Sequence, residues 1–365
     1  MPHPTGLDVI TAQPDFAACA AGAALRERPL GFVDVGARGG VHDLVEPLAR
    51  HVAVLGFEPD QKECDRLTAM PGVAGPWAAF HLEPVALAGE KGPATLHLLS
   101  ASTNHSLRPP NTAYTSRYDM DKWVQIGAEP LLTDTLDSVL FDPARAFGGQ
   151  GEFLKLDTQG TEHEILEGAA RTLEERTVAV VLEVAFCELY RGQKLFSEVE
   201  LLLRGHGFSF YGFHGNRLHT RSRKLLDKRR QATAERAMFA DAIFFKDPLP
   251  GTYARRPATA REQHTLFACA LLLGFHDFAL ELALATWAAA DAAEQARIHR
   301  LVAALSALDP AHTLAALQTA CREAEASPGD ANLITGCFVD RQRRHCDYDD
   351  VFNVSSLPAA YQAGD

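Results

Sequence analysis

One stretch constrains this chain more than any other: Phe32-Val33-Asp34-Val35-Gly36-Ala37-Arg38-Gly39-Gly40, an apolar strand that meets an acid and then a glycine turn. A helix-like pattern follows from Val41 to Ala49, and a second strand, Val52 to Phe57, runs into Glu58-Pro59-Asp60. Strand, tight turn, helix, strand is how a parallel α/β sheet begins. A backbone that turns beneath a ligand needs glycine, because a Cβ blocks either the turn or the approach. A carboxylate closing the next strand, here Glu58, can accept hydrogen bonds from both hydroxyls of a ribose. The pattern implies a site for an adenosine-containing ligand.

The turn departs from the dinucleotide fingerprint G-x-G-x-x-G, reading Gly36-x-x-Gly39-Gly40 with Asp34 two residues ahead. A pyrophosphate seated on a helix N-terminus gains nothing from a neighbouring carboxylate. S-Adenosyl-L-methionine has no phosphate and carries an ammonium and a sulfonium, so an acid at that turn favours it. Two other classes stay open. One is a nicotinamide-dependent oxidoreductase on the same fold; the other is a non-catalytic interaction module.

At 365 residues the chain is long enough for one large domain and a smaller one. Its 47% apolar and 22% charged content suit a globular protein with a sizeable core. A net charge of −12 argues against nucleic acid as a partner. The seven cysteines are scattered without a CxxC pair, which suggests neither a disulfide scaffold nor a zinc ribbon and makes the cytoplasm the expected location. Residues 1–24 show no basic stretch leading into an apolar core, so no secretory signal is expected. The most apolar run, Thr265 to Ala290, holds His276, Asp277 and Glu281 near its middle. Each acid there would cost roughly 2.5–3.5 kcal/mol on membrane insertion, so two helices joined near Gly274 are expected instead of a span.

Residues 1–30 read as a lead-in with one helix, Pro14 to Arg28. Strands are expected at 31–36, 52–57, 79–87, 94–99, 152–157, 177–185, 207–213 and 239–246, and helices at 41–50, 60–69, 161–173 and 194–206. Ser100 to Pro130 has the composition of a long loop or lid. A basic run from Arg217 to Arg230, with Arg221, Arg223, Lys224, Lys228 and Arg229, stands out in an acidic chain. It is either a solvated face or a contact for an anionic substrate group. After Pro248 the sequence becomes Ala- and Leu-rich, and we place boundaries to give a lead-in (1–30), a sheet domain (31–247) and a helical C-terminal domain with a polar tail (248–365). Cys337, His345 and Cys346 match no standard zinc spacing.

A second constellation is Phe153-Leu154-Lys155-Leu156-Asp157-Thr158-Gln159-Gly160-Thr161-Glu162. Asp157 falls at the carboxyl end of its strand, where open α/β sheets bind ligands. Thr161 is placed to cap the following helix, and Glu162 lies in its first turn. Val180 to Val184 is an apolar strand carrying Glu183 at its end. Such carboxylates suit a cationic cofactor, a general base, or oxygen ligation of a divalent metal such as Mg2+. For base we name Asp157, with Glu183 or Glu162 as alternatives and His105, in the lid, as a weaker candidate.

These blocks resemble the FkbM family of S-adenosylmethionine-dependent methyltransferases, from about Gly31 to Asp247. The resemblance rests on FVDVGARGG with GFEPD, on PVALAGEKGPATLHL, on TDTLDSVL leading to FLKLDTQGTEHEILEGA, and on VLEVAFCELYRG with ADAIFFKDP. Lys155, Asp157, Gly160 and Glu162 satisfy the family's Lys-x-Asp-x-x-Gly-x-Glu skeleton. The resemblance implies a class I Rossmann-like fold, mostly parallel with an antiparallel last strand, and methyl transfer to an oxygen of a sugar, glycan or natural product. It implies that Asp34, Gly36, Ala37 and Gly40 line the turn, that Glu58 and Pro59 hold the ribose and that Val85 and Ala86 lie near the adenine. Asp157, Glu162 and Glu183 would flank the acceptor. Residues 248–365 fall outside it and are assigned to an oligomer interface or a partner.

Overall fold

Eight strands form one sheet, and their hydrogen-bonding order fixes where a ligand can sit. The computed structural model describes residues 5–342 apart from residues 71, 217 and 229. Its strands are β1 (Leu30–Val35), β2 (Val52–Phe57), β3 (Ala79–Glu83), β4 (Ala86–Leu87), β5 (Gly92–Leu99), β6 (Gln125–Asp134), β7 (Phe153–Leu156), β8 (Ala179–Ala185), β9 (Ser209–Phe213), β10 (His219–Arg221) and β11 (Arg236–Phe245). The main sheet runs β10-β11-β8-β7-β1-β2-β3, with β9 also on β11. All pairs from β3 to β8 are parallel, whereas β11 is antiparallel to β8, β9 and β10. The order reverses between β1 and β7, which is the switch point where such sheets open a crevice. A second sheet, β4-β6-β5, stands apart.

Both faces of the main sheet are covered, which is why its central strands are apolar throughout. One face carries Val33, Val35, Leu154, Leu156, Val180, Leu182 and Phe244 against the helices Glu162–Glu167, Ala170–Glu175 and Phe196–Gly205. The other carries Leu30, Phe32, Phe153, Ala179, Val181, Ile243 and Phe245. Side chains alternate along a strand, so this second face becomes polar one pleat nearer the carboxyl ends. There Asp34 pairs with Lys155, and Glu183 with Asp241.

The composition change at 248 is not where the compact units divide. The described residues from 5 to 308 form one unit and those from 309 to 342 belong to another. The helices Ala260–Leu272, His276–Ala285 and Ala292–Ser306 bring Phe267, Phe278, Leu282, Ile298 and Leu301 into the same cluster as Phe32 and Phe153. The lead-in packs there too, through Phe16 and Leu25. Arg261 fixes the arrangement: its guanidinium grips Glu152 at 2.6 and 2.7 Å and donates to the carbonyls of Ala24, Arg28 and Pro29. The second unit holds the helices Pro310–Ala326 and Ala331–Gln342, packed on each other.

Several boundaries differ from expectation. The lead-in helix breaks at Cys19 into Pro14–Ala18 and Ala20–Glu27. Asp43–His51 winds as 3-10 turns because Pro47 interrupts it. The strand at 79–87 and the helix at 161–173 each divide in two. The largest difference is in residues 100–130, expected as a loop, which contain the helix Thr112–Arg117 and most of β6. Thr265 to Ala290 forms two helices meeting at Gly274, whose φ is +79°. No helix among the described residues is long and apolar enough to cross a membrane. Arg217, Arg229, His345 and Cys346 lie outside the described residues.

Candidate active site

At the carboxyl ends of β1, β2 and β7 lies a cavity of about 850 Å³, partly open to solvent. Its floor is made by the Gly36 turn. Gly36 has φ +86°, and a Cβ on it would stand 2.1 Å from the Asp157 carbonyl oxygen. The amides of Gly36 and Ala37 both donate to the Phe57 carbonyl at 3.0 Å, so the turn ties the ends of β1 and β2 together. Gly36, Glu58, Pro59, Val85, Ala86 and Asp157 all line the cavity, as does His105. Phe57, Leu87 and Leu96 add apolar surface beside Val85.

Glu58 is 3% exposed, and burial raises its pKa. Its Oε1 accepts the Asp60 amide at 2.9 Å and lies 3.6 Å from Arg38 Nη1. Its Oε2 has no protein donor among the described residues. A carboxylate oxygen left open toward a cavity is a receptor for hydroxyls.

Asp34, Ala37 and Gly40 were expected at the ligand but do not line the cavity. Asp34 is buried beneath the turn, where Oδ2 accepts the His42 amide at 3.0 Å and Oδ1 lies 3.4 Å from Lys155 Nζ. The pleat explains this: Asp34 points to the face opposite Val33 and Val35. Its carboxylate thus takes the backbone donor at the start of the first crossover, the position a pyrophosphate would need.

Asp157, Glu162 and Glu183 converge, each offering an oxygen within 4.8 Å of the others. Glu162 is buried and accepts the amides of Thr158 at 2.8 Å and Gly160 at 3.0 Å. The capping expected of Thr161 is not made, because its hydroxyl donates to Thr158 instead. Burial, reinforced by Asp157, pushes Glu162 up to about 7. Glu183 is raised well above the usual carboxylate range by burial and then by Asp157, Glu162 and Asp241. Like charges this close resist ionising together, so Glu162 and Glu183 are the members that hold protons toward neutrality. Asp157 alone among the three reaches the cavity.

Gln159 organises this cluster, a role that sequence reasoning missed. Its backbone occupies the left-handed region at φ +59°, unusual for a residue with a side chain. Its Nε2 donates to Asp157 Oδ1 at 2.8 Å and lies 3.5 Å from Glu183 Oε1. Its Oε1 accepts from the Tyr190 hydroxyl at 2.9 Å. The available signal was position: Gln159 is one of the two residues between Asp157 and Gly160 that the Lys-x-Asp-x-x-Gly-x-Glu skeleton leaves unspecified. Arg38, Lys155 and Asp241 were also left out of the expected site, though Asp241 faces Glu183 across the ladder.

The three carboxylates form a set able to hold a divalent cation. The fit is poor, because backbone amides occupy the Glu162 oxygens and the Gln159 amide reaches the other two groups. Lys155 Nζ, 3.9 Å from Asp157 Oδ2, supplies further positive charge.

His105 does not fit the role of base. Its Nδ1 accepts the Leu99 amide at 3.1 Å, and burial, with Arg38, lowers its pKa. The neutral ring then carries its hydrogen on Nε2 and is a donor. The segment around it is anchored rather than loose: Ser106 Oγ donates to the Gln159 carbonyl at 2.7 Å, and Tyr190 reaches the Asn104 carbonyl at 3.0 Å. Leu99, Tyr118, Met120, Trp123 and Tyr190 form an apolar cluster of their own beneath it.

A switch-point crevice floored by a glycine turn and edged by a buried carboxylate defines a Rossmann-like α/β domain. Residues 34–210 match the family model of the methyltransferase FkbM domain. A solved structure, methyltransferase FkbM from Methylobacillus flagellatus KT, is similar at 13% identity with a TM-score of 0.32, over 60% of this chain. The chain spans 43% of the length of that structure. No curated protein matches the chain.

Proposed function

We propose that this chain is an S-adenosyl-L-methionine-dependent O-methyltransferase acting on a hydroxyl of a sugar, glycan or natural product. The observation that carries the reading is the pairing of Glu58, with an oxygen open to the cavity, and the Gly36 turn, whose anion seat Asp34 already fills. When bound, the cofactor supplies an electrophilic methyl on a sulfonium. Glu58 would hold its ribose, and Val85, Ala86 and Leu87 the face of its adenine. The nicotinamide alternative is disfavoured by Asp34 and by Arg38, which already lies beside Glu58 and Asp60.

An alcohol needs help to lose its proton at neutral pH. Asp157 is the base, since it alone of the three acids reaches the cavity. Gln159 orients its carboxylate, and the protons that burial holds on Glu183 and Glu162 limit the negative charge around it. The 102–107 segment shields the site from water, which strengthens each of these interactions. A cytoplasmic location follows from the scattered cysteines.

The test uses Asp157→Asn and Glu183→Gln, with calorimetric binding of S-adenosylhomocysteine and transfer of labelled methyl into hydroxyl-bearing acceptors. Binding is expected to persist while transfer falls by 10²-fold or more, the range of general-base catalysis. Full transfer by both variants overturns the catalytic assignment. A thermal shift with NAD and none with the methionine cofactor, at about 100 times Kd where roughly 2.7 kcal/mol is gained, overturns the class.

A further inference from the structure

The basic run is not used by the methyl-transfer site, and the structure gives it a cavity of its own. The hairpin of β10 and β11 borders about 560 Å³ of space, partly open, lined by Trp123, His219, Arg221, Lys224, Lys228 and Phe239 among others. Its one carboxylate, Glu235, is taken by Lys228 and by the Thr220 hydroxyl. Among the described residues Arg221 and Lys224 have no acid within ion-pair reach. The lining thus carries a local excess of positive charge in a chain of net charge −12.

A second observation points the same way. In the β10–β11 ladder Arg221 stands directly opposite Arg236, a like-charge pair that destabilises an antiparallel sheet. Arg236 is accommodated over the Tyr114 ring at 5.1 Å, but no carboxylate separates the two. An anion beside Arg221 would remove that conflict. Beside the cations the His219 and Phe239 rings stack at 4.2 Å and 11°, an apolar platform next to a charged grip.

The cavity is placed to serve the acid cluster. Phe239 and Asp241 lie two residues apart on one face of β11, and Asp241 opposes Glu183. His219 is among the groups that act electrostatically on Asp241. Trp123, on the cavity's other wall, belongs to the cluster that holds Tyr190 against Gln159.

We propose that this cavity binds an anionic group, phosphate or carboxylate, on the methyl acceptor, with Arg221 and Lys224 as its ligands. The assignment to the acceptor rests on the methyl-transfer reading; anion binding itself does not. A guanidinium can grip either oxyanion through two parallel hydrogen bonds, and Lys224 adds a point charge.

The test titrates the full chain with inorganic phosphate, with glucuronate and with neutral glucose at low ionic strength, by calorimetry and tryptophan fluorescence. Saturable binding is expected for phosphate, glucuronate or both, and none for glucose; which anion binds tells a phosphorylated acceptor from a uronic acid. Arg221→Gln combined with Lys224→Gln should weaken it at least tenfold, and Lys194→Gln, on the surface beside Glu198, should not. The single variants R221Q and K224Q are run alongside, each expected to weaken binding, so that misfolding of the double variant is recognised. No saturation by either anion, or binding by the double and single variants as tight as that of the unaltered chain, overturns the proposal. S-Adenosylhomocysteine binding, measured on the same samples, separates this failure from failure of the methyl-transfer reading.

Discussion

Lys155 Nζ lies 3.4 Å from Asp34 Oδ1, with side chains only 9% and 1% exposed, and this buried pair holds the floor of the site. Burial disfavours the Lys155 ammonium, but Asp34 and Asp157 outweigh it and hold its pKa above the usual range. Removing one partner leaves the other charged in a dry environment. Lys155→Met is therefore expected to lose about 3–5 kcal/mol of stability in urea denaturation. Adding Asp34→Asn should restore part of it, and strict additivity of the two losses would contradict a coupled pair.

Glu58→Gln keeps the side chain's shape and removes its charge. The Asp60 amide still finds an acceptor, so the fold should be unaffected. Hydrogen bonds to charged groups are worth about 1.5–3 kcal/mol, so binding of S-adenosylhomocysteine should weaken by roughly 10- to 100-fold. Unchanged affinity in calorimetry would remove Glu58 from the ribose site.

Glu162 is pushed up to about 7 from the ordinary 4.5 of a glutamate, chiefly by burial. A carboxyl with a raised folded pKa holds its proton more tightly when native. Its contribution to stability is thus largest below about 4.5, falls as pH rises through the window to about 7, and is level above it. At about 1.4 kcal/mol per unit the fall is on the order of 3 kcal/mol. Glu162→Gln should flatten the decline of Tm between pH 5 and 7, leaving a residual slope from Glu183, which is raised in the same sense. An unaltered slope in the variant would show that Glu162 does not titrate there.

Truncation separates the two boundaries. A chain ending at Leu308 keeps Phe267, Phe278, Leu282, Ile298 and Leu301 in the core and should unfold cooperatively. A chain ending at Asp247 loses all five. Each is worth roughly 1.5–3 kcal/mol, together comparable to the 5–15 kcal/mol that stabilises a whole domain. The shorter chain is expected to bind a hydrophobic dye and to lose its near-ultraviolet circular dichroism; a native spectrum would return the boundary to 248.

The letters alone determined the sheet and the turn. Alternating apolar runs and their spacing mark β1, β2, β7 and β8 to within two residues, because a strand buried on both faces must be apolar throughout. Gly36, Glu58 and Asp157 were legible because strand ends and tight turns are local, and each needs one residue type. β6 was not legible: it contains Gly127 and Pro130 and is mostly exposed, so no buried alternation marks it. Pro130 is tolerated because β6 meets β4 only at Thr133 and Asp134, leaving its other edge open there.

Only the tertiary structure decided what faces what. Asp34 turned away from the cavity because the pleat and Lys155 claimed it, and two consecutive letters cannot report a partner more than a hundred residues away. Gln159 looked like an incidental residue until Tyr190, Asp157 and Glu183 were seen around it. Composition placed a boundary at 248, yet helices rich in Ala and Leu are as suited to covering a sheet as to standing alone. Burial is a property of the whole packed chain, and so are the charges and side-chain orientations that depend on it.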